Sequence, residues 1–361
     1  MPICCINSSF GEYLFANQGG LDTEMDQATG ATTLKVGIAG ATGFAGQELV
    51  GILARHPNVR LELAMSSSAD SAARPMPRLA RVWDGQLEPL DRAKLAQSVD
   101  VAFLAVPEAA AAELAPPLVD AGVRVIDLSG AFRIRDAGDR ARWYPATKSV
   151  PAGSVYGLTE HYRDDVRQAS LVANPGCYPT GALLALLPLA KAGRLDARHG
   201  VIIDAKSGIS GAGRAATDRT HFSENFGSVS AYGVFNHRHV AEMEQELGAS
   251  ITFVPHLVPL DRGILETIYT QVAEGTTAEQ IADALGAAYA TAPFVRLTGD
   301  ALPEIKHVAW TNFCDIGWRL DPGTRRLVMV TVLDNLVKGA AGQAVQNLNV
   351  ACGFDERTAL R

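Results

Sequence analysis

The chain has 361 residues, 47% hydrophobic and 20% charged, with 39 Asp and Glu against 32 Lys and Arg and a net charge of −7. That length supports two domains with cores of their own. The acidity argues against a broad nucleic-acid footprint, and the longest apolar stretch, residues 182–189, is too short to cross a membrane and contains Pro188. The expected partner is therefore a small molecule, with no nucleic acid and no membrane. Cys4, Cys5, Cys177, Cys314 and Cys352 form no CxxC pair and no His/Cys ligand spacing, which implies reduced thiols, a cytoplasmic setting and no metal.

Residues 1–33 read as a mobile leader. They have neither a basic n-region nor an apolar h-region, so no secretory signal is expected, and Met25 offers an alternative start. From residue 34 the pattern alternates. Strands are predicted over 34–39, 59–65, 99–106 and 123–128, with helices over 47–55 and 108–121. Strand–helix alternation of this kind implies right-handed βαβ units and a parallel sheet, here a dinucleotide-binding domain over 34–176. After Cys177 the rhythm changes. Strands at 201–206, 251–258, 265–272 and 327–333 are separated by long loops, which indicates a mixed sheet with helices on one face over 177–336. An amphipathic helix at 338–352 should return to complete the first domain, within the segment 337–361. The fold class is α/β, a Rossmann-type parallel-sheet domain plus an α+β catalytic domain that also serves dimerisation.

Gly37, Gly40, Gly43 and Gly46 recur through the first strand-to-helix turn. Phosphate oxygens must approach backbone N–H groups at a helix N-terminus, and a Cβ would obstruct them. Gly40, Thr42, Gly43, Phe44 and Ala45 are therefore candidate cofactor contacts; an unliganded tight turn is the alternative. The second strand ends on Ser66, Ser67 and Ser68, with Arg74 just beyond, whereas the acidic Glu62 lies mid-strand. Hydroxyls and a cation suit a 2′-phosphate, so NADP(H) is expected over NAD.

Cys177 stands in Asn-Pro-Gly-Cys-Tyr-Pro-Thr, at the mouth of an apolar helix for which Thr180 is a candidate N-cap. The positive end of a helix dipole favours thiolate. A thiolate beside a nicotinamide implies thioester chemistry with hydride transfer. His237, Arg238, His239 and Glu242 open another helical pattern in which Glu242 can orient His239 one turn away. Arg238 is also a candidate anion anchor. The segment 206–214 places Ser207, Gly208, Ser210 and Arg214 after a strand, suited to a phosphate or a nicotinamide face. Arg133 ends another strand-to-loop run.

Together these elements resemble the N-acetyl-γ-glutamyl-phosphate reductase family: GATGFAG (40–46), DLSGAFR (127–133), YGLTE (156–160), NPGCYPTGA (174–182), SGISGAGR (207–214), HRHVAEM (237–243) and DNLVKGAAGQAVQNLN (334–349). The resemblance covers the chain from residue 34 onward. It implies a glyceraldehyde-3-phosphate-dehydrogenase-like fold, a homo-oligomer (dimer or tetramer), and NADP-dependent reduction of an acyl phosphate to an aldehyde. In that scheme Cys177 is the nucleophile and His239 or His237 the proton carrier. Ser207, Gly208, Arg133 and Arg214 would contact substrate or phosphate, and Asn335 the cofactor. Ala241 stands where the family's HRHxPE element has proline. Related acyl-phosphate reductases are the alternatives, acting on aspartate semialdehyde or on carrier-protein-bound aminoadipyl or glutamyl phosphate. A non-catalytic NADP-binding regulator is the alternative from another class.

Overall fold

The computed structural model describes residues 33–67 and 72–361. The expected leader (up to residue 32) and Ser68 lie outside them. The first sheet contains β1 (Leu34–Ala39), β2 (Val59–Met65), β3 (Arg74–Pro75), β4 (Gln86–Glu88), β5 (Val101–Leu104), β6 (Arg124–Asp127), β7 (Ser154–Tyr156) and β8 (Leu171–Ala173). Its order is β3-β4-β2-β1-β5-β6-β8-β7, parallel throughout except at β3–β4. From β1 the chain runs first to one side and then to the other, so the order reverses between β1 and β5. A crevice opens at such a switch point, beyond the carboxyl ends of the strands. The glycine loop follows β1 directly.

Helices α1 (Phe44–Leu53), α2 (Arg92–Ser98), α3 (Glu108–Asp120), α4 (Ala137–Trp143) and α5 (Thr159–Gln168) accompany this sheet. The predicted strands at 99–106 and 123–128 each shorten to four residues: Val99 is the C-cap of α2, and Ala105, Val106 and Leu128 belong to the crevice loops. The predicted helix at 47 already begins at Phe44, because Gly43 adopts the extended N-cap conformation.

Beyond α6 (Cys177–Lys191) lies a seven-stranded sheet of β9 (Val201–Ser207), β10 (Ser230–Ala231), β11 (Ile251–Leu257), β12 (Ile264–Gln271), β13 (Val295–Gly299), β14 (Cys314–Asp321) and β15 (Arg326–Leu333). Its order is β10-β11-β9-β12-β15-β14-β13, mixed as expected, with β9–β11 and β13–β14 parallel. Burial alternates along β9, β11 and β12, so one face packs on helices. That face carries α6, α8 (His239–Leu247) and α9 (Ala278–Tyr289), with Leu183, Leu186, Met243, Ile281 and Leu285 in one core with Val201 and Ile203. A short α7 (Phe222–Asn225) lies in the loop between β9 and β10. β10, β13 and β14 were not legible as strands. β14 alternates Cys314, Ile316, Trp318 and Leu320 with Asp315, Gly317, Arg319 and Asp321, a period of two, yet its first five residues are buried on both faces.

A π-helical turn, Val337–Ala341, leads into α10 (Gly342–Ala351), which packs with β1 and α1 in the first core. The expected amphipathic character is corrected here, since all ten residues of α10 are buried. Its amides face protein groups. Asn347 donates to the Gly157 carbonyl at 2.9 Å and to Asn174 at 3.1 Å, and accepts from Thr159 at 2.8 Å. Polar groups satisfied in this way can be buried without water.

Candidate active site

Cys177 is the first residue of α6, with Gly176 as N-cap at φ −66°, ψ 153° and no side-chain cap. Thr180 is not the cap. It lies one turn inside, and its hydroxyl donates back to the Gly176 carbonyl at 2.9 Å. The Pro175-Gly176 turn already supplies the extended geometry a cap needs, so the helix starts four residues earlier than expected.

The thiol is not pre-ionised. Burial pushes the Cys177 thiol up to about 12, and the Tyr178 N–H that donates to it and the Arg133 charge only partly oppose this. The expectation of a thiol below its usual range is thus overturned: desolvation outweighs the helix terminus.

His239 opens α8 with its ring laid against Gly176, where a Cβ would come within 2.5 Å of Nε2. That close approach requires glycine before the cysteine. Burial holds His239 well below its usual range and His237 down at about 4, so both imidazoles are neutral at pH 7. The His239 N–H donates to His237 Nδ1 at 3.2 Å, which leaves the neutral His237 ring with its proton on Nε2. His239 Nδ1 is buried and has no partner among the described residues.

The expected hydrogen bond from Glu242 to His239 is not made, because the closest approach is 3.8 Å. Glu242 is fully buried and already accepts from Arg133 Nη1 at 3.0 Å, from the Tyr156 hydroxyl at 3.1 Å and from the Gly176 N–H at 2.9 Å. The carboxylate therefore ties α8 to the turn that presents Cys177. Ala241 is buried against Ile134 and Tyr144, and α8 starts at His239 without the proline.

A cavity of about 700 Å³ joins these groups to the first sheet's crevice. Gly43, Phe44, Ala45, Cys177, His237, His239, Arg133, Arg238, Ser207, Ser210, Arg214 and Asn335 line it. Gly40, Thr42, Gly208, Glu242, Ser66, Ser67 and Arg74 do not, although Thr42 is one step away: its carbonyl accepts from Arg214 at 2.8 Å and from Gln47 at 3.0 Å. Asn335 braces the opposite wall by donating to Ser210 at 3.0 Å and accepting from the Gly263 N–H at 2.7 Å. Ser66 and Ser67 follow β2 and Arg74 begins β3, on the far side of β1 from β5.

The glycines divide by role. Gly40 has φ +92°, and a Cβ there would collide with the Ala105 carbonyl, so it makes the turn itself. Gly37 lies within β1 against Leu95, a packing position and not part of a phosphate cradle. Gly43 borders the cavity, and a Cβ there would have nothing nearer than 3.7 Å. Beside it, helix geometry leaves the N–H groups of the first turn without intrahelical acceptors. A dinucleotide pyrophosphate fits this end of the cavity.

Sequence reasoning missed Tyr144, Tyr178, Tyr232 and Arg219, which also line the cavity. The Tyr178 and Tyr232 hydroxyls are 3.1 Å apart. Only Tyr178 carried a signal, its place beside Cys177. Among the described residues no cluster of His, Cys, Asp and Glu is arranged to hold a metal, and no helix is long and apolar enough to cross a membrane.

Residues 35–169 match the family model of the semialdehyde dehydrogenase NAD binding domain, and 177–335 that of the semialdehyde dehydrogenase dimerisation domain. N-acetyl-gamma-glutamyl-phosphate reductase of Desulforapulum autotrophicum is 46% identical to this chain, and that of Bacillus subtilis 44%. Each alignment covers 91% of this chain and 98% of the relative. The chain belongs to the N-acetyl-gamma-glutamyl-phosphate reductase family. As a member it is an oxidoreductase with a nicotinamide dinucleotide site. Aspartate semialdehyde dehydrogenase II from Vibrio cholerae shares the fold, with a TM-score of 0.68 at 20% identity over 89% of this chain and 99% of its own. The Candida albicans aspartate semialdehyde dehydrogenase solved with NADP aligns with a TM-score of 0.63 at 16% identity over 88% of this chain and 98% of its own.

Proposed function

We propose that the protein reduces N-acetyl-L-glutamyl 5-phosphate to N-acetyl-L-glutamate 5-semialdehyde and phosphate, reversibly, with NADPH and through a thioester on Cys177. One observation carries the reading: Cys177 sits at the first residue of α6, in a cavity that also reaches Gly43 of the glycine loop. Phe44 and Ala45, with Gly43, hold the pyrophosphate, and the loop after β2 takes the ribose 2′-phosphate. Bound NADPH supplies the hydride that the thioester carbon accepts.

The rest of the chemistry is the chain's own. The thiol is protonated at rest, so attack on the acyl carbon requires its proton to leave. We assign His239 as acceptor, because its ring adjoins Gly176 and its buried Nδ1 has no partner among the described residues. As Sγ bonds to the acyl carbon, the C–O bond to phosphate breaks and phosphate leaves with the electron pair. Arg238 is placed to balance that charge, and His239 returns its proton to the departing phosphate. After hydride addition the C–S bond breaks, the aldehyde forms, and Sγ regains a proton that His239 takes up from solvent. Arg133 and Glu242 position this machinery.

We also assign a homo-oligomer, a dimer or a tetramer, in a reducing cytoplasm. The dimerisation-domain match supports assembly. So do Ile202 and Tyr269, which are paired across β9 and β12 and exposed on the sheet face away from α6.

The deciding experiment is an assay of aldehyde oxidation with N-acetyl-L-glutamate 5-semialdehyde, NADP and phosphate, run beside aspartate semialdehyde. Turnover of the first substrate only is expected, and preferential turnover of aspartate semialdehyde would refute the assignment. NADPH should bind on the order of 30-fold more tightly than NADH if one charge-assisted contact reads the 2′-phosphate. Equal affinities would remove that role from the loop after β2.

A further inference from the structure

Four guanidiniums line the Cys177 cavity, those of Arg133, Arg214, Arg219 and Arg238, against a single carboxylate, Glu108. Two of the four are committed. Arg133 is buried, with Nη1 on Glu242 and Nη2 on the Leu128 carbonyl. Arg214 donates to the Thr42 carbonyl at 2.8 Å, which ties it to the dinucleotide side. Glu108 is engaged as well, accepting from the Thr147 hydroxyl at 3.0 Å.

Arg219 and Arg238 are different. Both are exposed, and among the described residues neither guanidinium has an ion pair or a hydrogen bond. Each lies over a tyrosine instead, Arg219 at 5.4 Å from the Tyr232 ring and Arg238 at 5.3 Å from Tyr144. A guanidinium resting on an aromatic face keeps its N–H edge free, and that edge matches a carboxylate or phosphate in a two-pronged contact.

The two platforms are not equivalent. The charge of Arg238 weighs against protonation of both His237 and His239, which puts it at the reacting end. Arg219 bears on Tyr232 and on neither histidine. Tyr232 reaches Cys177 through Tyr178, hydroxyl to hydroxyl at 3.1 Å, so Arg219 stands one ring farther out. Its turn is pinned by a reciprocal cap, with the Thr217 N–H donating to Thr220 Oγ1 at 3.0 Å and the Thr220 N–H to the Thr217 carbonyl at 3.0 Å.

We infer that Arg219 is a specificity-determining residue that binds the α-carboxylate of the acyl substrate, with Tyr232 as the shelf that aims it. This rests on the activity proposed above. That substrate carries an anion at each end of a short chain, and the cavity offers an unpaired cation for each.

The test compares N-acetyl-L-glutamate 5-semialdehyde with 4-acetamidobutanal, the same aldehyde without the carboxylate, both oxidised with NADP and phosphate. Wild type should favour the acid in kcat/KM by roughly 10- to 100-fold, the range of one charge-assisted contact. Arg219→Gln should raise KM for the acid by a similar factor, with kcat little changed, and leave 4-acetamidobutanal untouched. Arg219→Lys should recover part of the preference. A preference unchanged in Arg219→Gln, or an equal loss for both aldehydes, overturns the inference. Failure of the activity reading shows separately, as wild type that does not turn over the acid at all.

Discussion

Helices α6 and α10 are both almost wholly buried, yet they are buried for opposite reasons. Leu183, Leu184, Leu186, Leu187 and Leu189 surround α6, and their transfer from water supplies the driving force. In α10, Gln343, Gln346, Asn347 and Asn349 are fully buried, and each finds partners on neighbouring segments. The first kind of burial tolerates any apolar group of the right volume. The second depends on particular atoms, because an unmatched amide in a core costs its full desolvation. The helices also meet the cavity differently: α6 brings its first residue, Cys177, whereas α10 is joined to it through the π-helical turn that bears Gly339 and Ala340.

The largest expected effect tests whether the chemistry belongs to the start of α6. Cys177→Ser should lower turnover by on the order of 10⁴ or more and leave NADPH affinity unchanged. A variant retaining a tenth of the activity would make Cys177 structural. In the cofactor-free protein, alkylation of Cys177 should climb about tenfold per pH unit from pH 7 to 10 without levelling, because its thiol titrates only at about 12. A plateau below pH 9 would show that the helix terminus wins over burial after all.

Stability changes probe the other side of the comparison. Lys338 Nζ donates to Glu160 at 2.6 Å, and both side chains are fully buried. Lys338→Met leaves that carboxylate unpaired and should cost about 3–5 kcal/mol in denaturant unfolding. Adding Glu160→Gln should recover much of the loss; no recovery would mean that the pair acts by shape and not by charge.

Leu184→Ala in α6 and Asn347→Leu in α10 should each cost about 3 kcal/mol, the first through a cavity and the second through unpaired groups at Gly157, Thr159 and Asn174. Leu184→Met should cost less than about 1.5 kcal/mol. An Asn347→Leu variant as stable as wild type would erase the distinction between the two helices.

The smallest effect is a pH dependence at the edge of the α10 network. His56 Nε2 is 2.8 Å from Asn349 Oδ1, and Nδ1 accepts from the Asn58 N–H at 3.2 Å, so the ring is held neutral and burial lowers its pKa from 6.5. A base with a lowered folded-state pKa stabilises fully above its unfolded value and loses that contribution as pH falls through the folded one. The stability gap between wild type and His56→Gln should therefore narrow below about pH 6.5. A gap that widens on acidification would reverse the assigned sign.

Local pattern alone determined much of this protein. The βαβ alternation, the glycine turn after β1, the apolar α6 with Cys177 at its mouth, and His237 and His239 on a helix start are all properties of short segments, set by periodicity, by turn chemistry and by the absence of side chains. What the tertiary structure decided lay between segments. Arg219 and Tyr232 reach the cavity from a loop with no period to read, and Glu242 is drawn from His239 by donors on β7, on the Cys177 turn and at Arg133. The polarity of α10 reads as a solvent face until its partners are known. The same holds for the thiol: a helix N-terminus is written in the sequence, but desolvation is set by everything packed around it, and here that is the stronger influence.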